Sequence, residues 1–538
     1  MIETIQKDLL ARIGRFRTKS SLVETPTFIP VVHPTNELIP PRKMFQDFDC
    51  QIIITNAYLL SKAECKGSIH DILNFPGSIM TDSGAYQLLI YGDVQTTPEQ
   101  IIQFQEKIET DIAVILDVPT GGKATYNEAK LTVEETLRRA KASISQRQKS
   151  NILWVGPIQG GTYPKLVEQS AHAISKLDFS IYAIGSPTQL MEQYQFDKLV
   201  DLVLSAKSNL PFDKPVHLFG AGHPILFPLI VAMGCDMFDS AAYALFAKQD
   251  RILSSEGTYR LKELQEDFCT CPTCSQYTIS EMKQLEKKER VQVLAEHNLH
   301  ICQIEIKRIK RAIREGRLWR MVESRLANHP ALVDAMNRLG HYQTLFEQFS
   351  PVTKKRALYI TSSWSLFQPE IYRHKKRIRK YCPPIPKRNT LLLYPSFSDG
   401  PYHSTKEYKL FRTEYQNISP DSLQSFDTVF ISPVFGLIPL ELTNYYPLAQ
   451  NVLPRSDLFE FDSRVIEELR VFLSENPQYI RVFGIFGQSA NWKFFTRKCR
   501  QMLRGLEKQF LFSITDFSKK SLKSIISKIV KVTLDSKH

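Results

Sequence analysis

The chain has 538 residues, 43% of them hydrophobic and 23% charged, the composition of a globular protein of about two to four domains with room for large cores. No apolar run approaches the roughly eighteen residues of a membrane span, and the N-terminal MIETIQKDLLARIGRFRTKSS is amphipathic, without the apolar core of a secretory signal. A net charge of +13 favours a polyanionic partner such as nucleic acid over a membrane, and the expected location is cytoplasmic.

From Thr27 onward, short apolar runs recur, each followed by a polar or glycine-containing segment and then a helical stretch. They are TFIPVV, QIIITNAYLL, SIMTDSGAY, IAVILDVP, ILWVGPIQGG, IYAIGSP, VHLFGAGHP and CDMFDSA. Eight such units over roughly 220 residues predict an α/β chain folded as a (β/α)8 TIM barrel. An open doubly wound sheet would call for a glycine-rich phosphate loop after the first strand, and VVHPTNE is not one.

The polar residues sit where such a barrel keeps its chemistry. Asp82, Asp117, Gln159, Gly185, His223 and Asp239 all fall at or just past the C-terminal ends of predicted strands. Asp239 precedes Ser240, Ala241 and Ala242, small residues that leave a cavity before it, and is the candidate nucleophile; the same sequence also reads as a helix N-cap. Asp117 and Gln159 offer acceptors and donors to the edge of a purine-like base, Tyr86 a stacking face, and Gly84, Gly160, Gly161 and Gly185 allow main chain to approach a flat ligand.

After Arg251 the pattern changes. Of nine cysteines, six are scattered and three crowd into CTCPTC as Cys269, Cys271 and Cys274, which predicts one structural Zn2+ in a reducing compartment and not a disulfide framework. His297 and His300, on a predicted helix, both qualify as fourth ligand. The helical stretch that follows sets Ile306, Ile309, Ile313 and Trp319 toward a core and leaves Lys307, Arg308, Lys310, Arg311, Arg314, Arg317 and Arg320 as a basic face for phosphates. The segment YRHKKRIRKYCPPIPKR, residues 372–388, reads as an exposed connector, followed by buried strands of a second α/β domain and a basic amphipathic C-terminal helix. The predicted divisions are 1–255 for the barrel, 256–340 for a zinc-binding and basic helical part, 341–387 for a linker and 388–538 for the second domain.

TDSGAYQ at 81–87, LDVPT at 116–120, IQGG at 158–161, HLFGAGHP at 217–224, MGCDMFDSAAYALFAKQDR at 233–251, and CTCPTC with the His297-Asn298-Leu299 triplet occur in this order. Together they resemble the archaeal tRNA-guanine transglycosylases (archaeosine tRNA-ribosyltransferases), over about residues 25–339. The resemblance implies a pentosyltransferase that exchanges guanine at position 15 of the tRNA D-loop for 7-cyano-7-deazaguanine (preQ0), in archaeosine biosynthesis. It implies Asp239 as nucleophile, Asp82 as general acid and base, Asp117, Gln159, Gly160 and Gly185 in base recognition with Ser83 and Tyr86 beside the base, and His297 as the fourth zinc ligand. The expected partners are tRNA, guanine and 7-cyano-7-deazaguanine, with a homodimer as the expected assembly. No pattern of the family's small RNA-binding PUA domain is recognisable, so a separate subunit of that type is the expected supplier of it. The region from about Arg388 resembles a domain of archaeosine synthase, but Pro395-Ser396 and Gly400-Pro401-Tyr402 stand where that enzyme has a Pro-Cys and a Lys-Pro-Tyr motif, which argues against synthase activity. The alternatives are a catalytically silent tRNA-binding paralogue and a hydrolase that releases free base.

Overall fold

The computed structural model describes residues 2–63, 67–85, 96–149, 151–381, 388–396, 400–419, 426–454, 463–503, 505–506, 508 and 509–534. The chain divides into two compact units, Met1–Pro351 and Val352–His538.

In the first unit eight parallel strands form a ring: β4 (Thr27–Pro30), β5 (Ile52–Asn56), β6 (Ser78–Asp82), β7 (Ile112–Val114), β8 (Leu153–Ile158), β9 (Ile181–Ile184), β10 (Val216–Leu218) and β11 (Met237–Ser240). Neighbours in sequence are neighbours in space, and β11 pairs with β4. A parallel bridge between Val31 and Ile54 joins β4 to β5, with Val32 N donating to Ile54 O at 2.8 Å, so the ring closes as the eight apolar runs predict. Every second residue of several strands points inward: Ile52 and Ile54, Ile112 and Val114, Ile181 and Ala183 meet in one buried cluster.

The cluster also takes in Ile2, Phe16 and Val23. These come from a three-stranded antiparallel sheet preceding the barrel, β1 (Glu3–Asp8), β2 (Ala11–Arg17) and β3 (Leu22–Thr25), which therefore plugs one end of the ring. The plug is pinned by Arg12. Its guanidinium pairs with Asp236 at 2.7 and 2.8 Å and donates to the carbonyls of Phe212 and Lys214, while Asp236 Oδ2 accepts from Val216 N. Asp236 immediately precedes β11, so this pair lies at the N-terminal end of the strands, opposite the end where Asp239 stands.

The eighth helical position is filled late. After β11 come a short helix (Ala242–Lys248), the hairpin of β12 (Arg251–Leu253) and β13 (Thr258–Arg260), the cysteine loop, and then the 29-residue helix Lys287–Glu315, which packs on Ala242–Lys248, β4 and the N-terminal sheet. Ile306, Ile309 and Ile313 are buried as expected. The basic face is less free than its sequence implies. Lys310 reaches Glu24, Lys307 pairs with Asp49, Arg308 with Glu305, and Arg311 and Arg317 with Glu315.

The predicted linker is also different. Helix Gln343–Phe349 lies in the first unit, whereas β14 (Leu358–Tyr359) and helix Pro369–Tyr381 lie in the second, with Ile371, Arg373 and His374 buried. The charge run forms a helix that packs through Ile371 and buries Arg373 and His374, so its described part is a structural element and not a connector; residues 382–387 lie outside the described residues. The second unit is built on β15 (Thr390–Pro395), β16 (Phe426–Ser432), β17 (Gly436–Pro439), β19 (Arg481–Phe486) and β20 (Gln509–Ile514), in the order β17-β16-β15-β19-β20, with β18 (Asn451–Val452) paired to β14. Only β17 runs antiparallel in that sheet. Leu391 and Leu393 enter one core and Leu392 and Tyr394 the other, the mark of a central strand covered on both faces.

Removing one member of the Arg12–Asp236 pair strands a charge that is almost fully buried. Asp236→Ala is expected to destabilise the first unit by about 3–5 kcal/mol in denaturant unfolding.

Candidate active site and metal centre

The C-terminal ends of the strands bring together residues far apart in sequence. Asp82 is the last residue of β6, Gln159 and Gly185 directly follow β8 and β9, Asp117 lies just beyond β7, and Asp239 stands on β11. Asp82 keeps a part of its surface open, while protein around it strips most of its water. That burial, then the negative charges of Asp117 and Asp239, push its carboxyl up to about 7, against hydrogen bonds from Gly84 and Ser83 that pull the other way. The mutual repulsion places the three acids in one electrostatic neighbourhood. Two long contacts, from Asn56 Nδ2 and Gly84 N at 3.4 Å each, do little to hold the charged form.

Asp239 is better supported. His217 Nε2 lies 2.7 Å from its Oδ1, and Gly220 N donates to the same oxygen at 3.2 Å. An ionised carboxylate only accepts, so the imidazole proton facing it sits on Nε2. Among the described residues both hydrogen bonds fall on Oδ1, which leaves Oδ2 as the oxygen with a free approach. His217 is fully buried, and its Nδ1 has no partner among the described residues.

Asp117 accepts from Gln159 Nε2 at 2.6 Å. Burial raises its carboxyl to about 6, partly offset by that bond. The Gln159 amide is in turn oriented, because Oε1 accepts from Thr120 N at 3.0 Å and Ser186 Oγ at 2.8 Å. Gly185 leaves room for that amide: a Cβ there would fall 2.2 Å from Gln159 Nε2 and push it off Asp117. Gly160 has φ of +143°, a conformation that favours glycine, and donates its N–H to Thr120 Oγ1 at 3.3 Å. Ser83 is buried with a hydroxyl that has no partner among the described residues. Tyr86 lies outside the described residues. His223 does not join the acids; its Nδ1 accepts from Ile225 N and caps a short 3-10 turn, and burial lowers it to about 4.

Sequence reading passed over His217 and Gly220. The signal was present in the register: His217 pairs with Ala183 and Met237, both inward-facing, so period-2 alternation sends its ring into the barrel beside Asp239.

A second cluster lies below the long helix. One ligand atom each from Cys269, Cys271, Cys274 and His297 falls within 4.8 Å of the others, compatible with the S···S spacing of about 3.8 Å in a tetrahedral thiolate site. His297 Nδ1 is 3.2 Å from Cys274 Sγ and 3.5 Å from Cys271 Sγ, while its Nε2 donates to Leu253 O at 3.0 Å. That tautomer turns the Nδ1 lone pair toward the sulfurs, as a metal ligand requires. His300 is excluded: it packs edge-on against Phe48. The next residue, Asn298, ties the site to the barrel by donating to Tyr243 O and Arg251 O and accepting from Leu253 N.

A family profile described as queuine tRNA-ribosyltransferase matches residues 7–331. Among curated relatives, a tRNA-guanine(15) transglycosylase of Methanocaldococcus jannaschii is 42% identical over 480 residues, covering 86% of this chain and 70% of that protein. Proteins of the same name from Methanobrevibacter smithii and Methanosphaera stadtmanae are 40% and 41% identical, covering 89% and 85% of this chain and 72% and 68% of theirs. With the profile spanning more than half of the chain, and barrel, acids and cysteine cluster standing where its motifs fall, the chain belongs to the queuine tRNA-ribosyltransferase family.

Proposed function

We propose that the chain is a tRNA-guanine(15) transglycosylase, a pentosyltransferase that exchanges guanine in tRNA for 7-cyano-7-deazaguanine through a ribosyl ester on Asp239. The observation that carries this reading is the contrast between two carboxylates at one mouth. Asp239 accepts hydrogen bonds from His217 and Gly220 on one oxygen, whereas Asp82 is pushed to about 7 and retains a proton near neutrality.

In the first half-reaction, Asp239 Oδ2 attacks the ribose C1′ as the bond to guanine N9 breaks, and Asp82 gives its proton to the departing base. Ester formation cancels the Asp239 charge, one of the causes of the raised Asp82 carboxyl. Proton release by Asp82 therefore becomes easier as the bond breaks. In the second half, the ionised Asp82 takes the N9 proton of the incoming base, whose nitrogen displaces Asp239 from C1′. Two inversions return the original anomer, the logic of a retaining glycosidase with a base in place of water. Asp117, held by Gln159, offers its remaining lone pairs to the N–H edge of a guanine-like base, and the unpartnered Ser83 hydroxyl supplies a further contact. Gly160 and Gly185 let the base lie close to main chain.

The cysteine cluster is read as a structural Zn2+ site. Three thiolates and one imidazole fill a tetrahedron and leave no position for substrate, so the ion contributes folding energy and no step of the exchange.

Asp239→Asn is expected to lower exchange of labelled guanine into tRNA by at least about 1,000-fold and to abolish a denaturation-resistant protein–tRNA adduct. Retention of either in the variant overturns the nucleophile, and free base release without reincorporation would mark a hydrolase instead. Because Asp82 is protonated below about pH 7 and ionised above it, the single-turnover rate of adduct formation should fall as pH rises through that value. The same raised carboxyl costs folding energy as pH climbs from its ordinary range to about 7, so Asp82→Asn should lose activity yet gain about 1–4 kcal/mol of stability at pH 8. Metal analysis should return one zinc per chain, and Cys271→Ser should lose it together with about 3 kcal/mol or more of stability.

A further inference from the structure

The excess positive charge is confined to one unit. Residues 352–538 carry 30 lysines and arginines against 16 acids, whereas residues 1–351 carry 39 against 40. The barrel unit is thus electrically neutral overall, and its most basic helix spends several of its cations on Glu24, Asp49, Glu305 and Glu315. In the second unit the cations of helix Lys519–Leu534 that approach Glu414, together with Arg388, Arg470 and Lys354, are likewise paired with acids.

One group is not. Helix Ala490–Met502 buries Phe495, Thr496 and Cys499 and turns Lys493, Arg497 and Arg500 outward. With Gln501 and with Ile514 of the edge strand β20, these line a groove of about 600 Å³ that has no acid among its lining residues. Among the described residues none of the three cations pairs with a carboxylate; Arg500 donates to Phe512 O, which fixes its stem along the groove wall. Phe494, 38% exposed, lies beside Arg497 and Lys498 and offers a flat apolar face at the rim. The cations at i, i+4 and i+7 span about 10 Å of helix, the reach of two or three successive phosphates.

We infer that this groove is a docking site for the sugar–phosphate backbone of the tRNA, and that the second unit, not the barrel, supplies the electrostatic grip on the substrate. The inference rests on the reading of tRNA as substrate. Guanidinium and ammonium groups along a groove without acids suit phosphodiesters, which are bound by charge without regard to base sequence, so the selection of guanine stays with the barrel mouth.

The test compares two variants of the full chain with equal loss of charge. In the first, Lys493, Arg497 and Arg500 are replaced by glutamine; in the second, Lys406, Lys409 and Arg412, exposed on helix Lys406–Ile418, are replaced in the same way. Affinity for a tRNA transcript, measured by anisotropy at several salt concentrations, should weaken at least tenfold in the first and less than threefold in the second. The slope of log affinity against log salt should drop by about 2–3 in the first variant only. The single variants Arg497→Gln and Lys493→Gln should each show a partial version of the effect, which guards against a misfolded triple variant. Equal losses in both triple variants, or none in the first, overturn the groove while the wild-type chain still exchanges guanine. A wild-type chain that neither binds tRNA nor exchanges guanine overturns the functional reading itself.

Discussion

Three carboxylates feel one another's charge because a closed ring of parallel strands gathers its strand ends at one face. Like charges gathered in a poorly solvated space repel strongly, and the structure resolves the conflict unequally. Asp239 receives an imidazole N–H and a backbone N–H on one oxygen, Asp117 receives an amide at 2.6 Å, and Asp82 receives weaker support, from Asn56 and Gly84 at 3.4 Å and from the Ser83 backbone, against the field of the other two. The proton therefore settles on Asp82. Which carboxyl keeps the proton follows from which strand end has donors beside it, not from any difference between the side chains; the proposed division into acid and nucleophile builds on that asymmetry.

The opposite end of the barrel is built for strength. The three-stranded plug contributes Ile2, Phe16 and Val23 to the barrel core, and Arg12 clamps Asp236 beneath β11. Lys207, fully enclosed nearby, is lowered to about 8 by burial while the charge of Asp236 opposes the shift. One strand, β11, thus has a tightly neutralised acid, Asp236, just below it and the proposed nucleophile, Asp239, near its upper end. Stability at the base and chemistry at the mouth are separated along a few residues of backbone.

Much of this was legible in the sequence because strand ends are marked twice, by the stop of an apolar run and by a glycine or acid after it. The placement of Asp82, Asp117, Gln159, Gly185 and Asp239 at or near strand ends is readable that way. His217 was not, since a histidine inside a short apolar run looks like part of the strand, and only the pairing register reveals that it faces inward. Charge runs misled for a related reason. Glu24 and Asp49, which answer the basic helix, lie more than 250 positions away in the chain, and helix Pro369–Tyr381 buries Arg373 and His374 beside Ile371, residues that look solvated in a charge run. The N-terminal plug escaped notice because strands that cover a barrel end carry charges on their outer face and blur the alternation.

Asn298 joins the two halves of the catalytic unit in a way that reaches past the cysteine cluster. Its amide grips the carbonyl of Tyr243, four residues beyond Asp239, and the phenol of Tyr243 donates to Val31 O at 3.0 Å, on the seam where β4 meets β5. His297 and Asn298 are consecutive, so the ring that faces the thiols and the amide that braces the seam move as one rigid piece of helix. Slackening at the cysteine loop would travel along this strut to the stretch of chain just past Asp239, making the distant cysteine cluster a tensioner for the strand end on which that carboxylate stands.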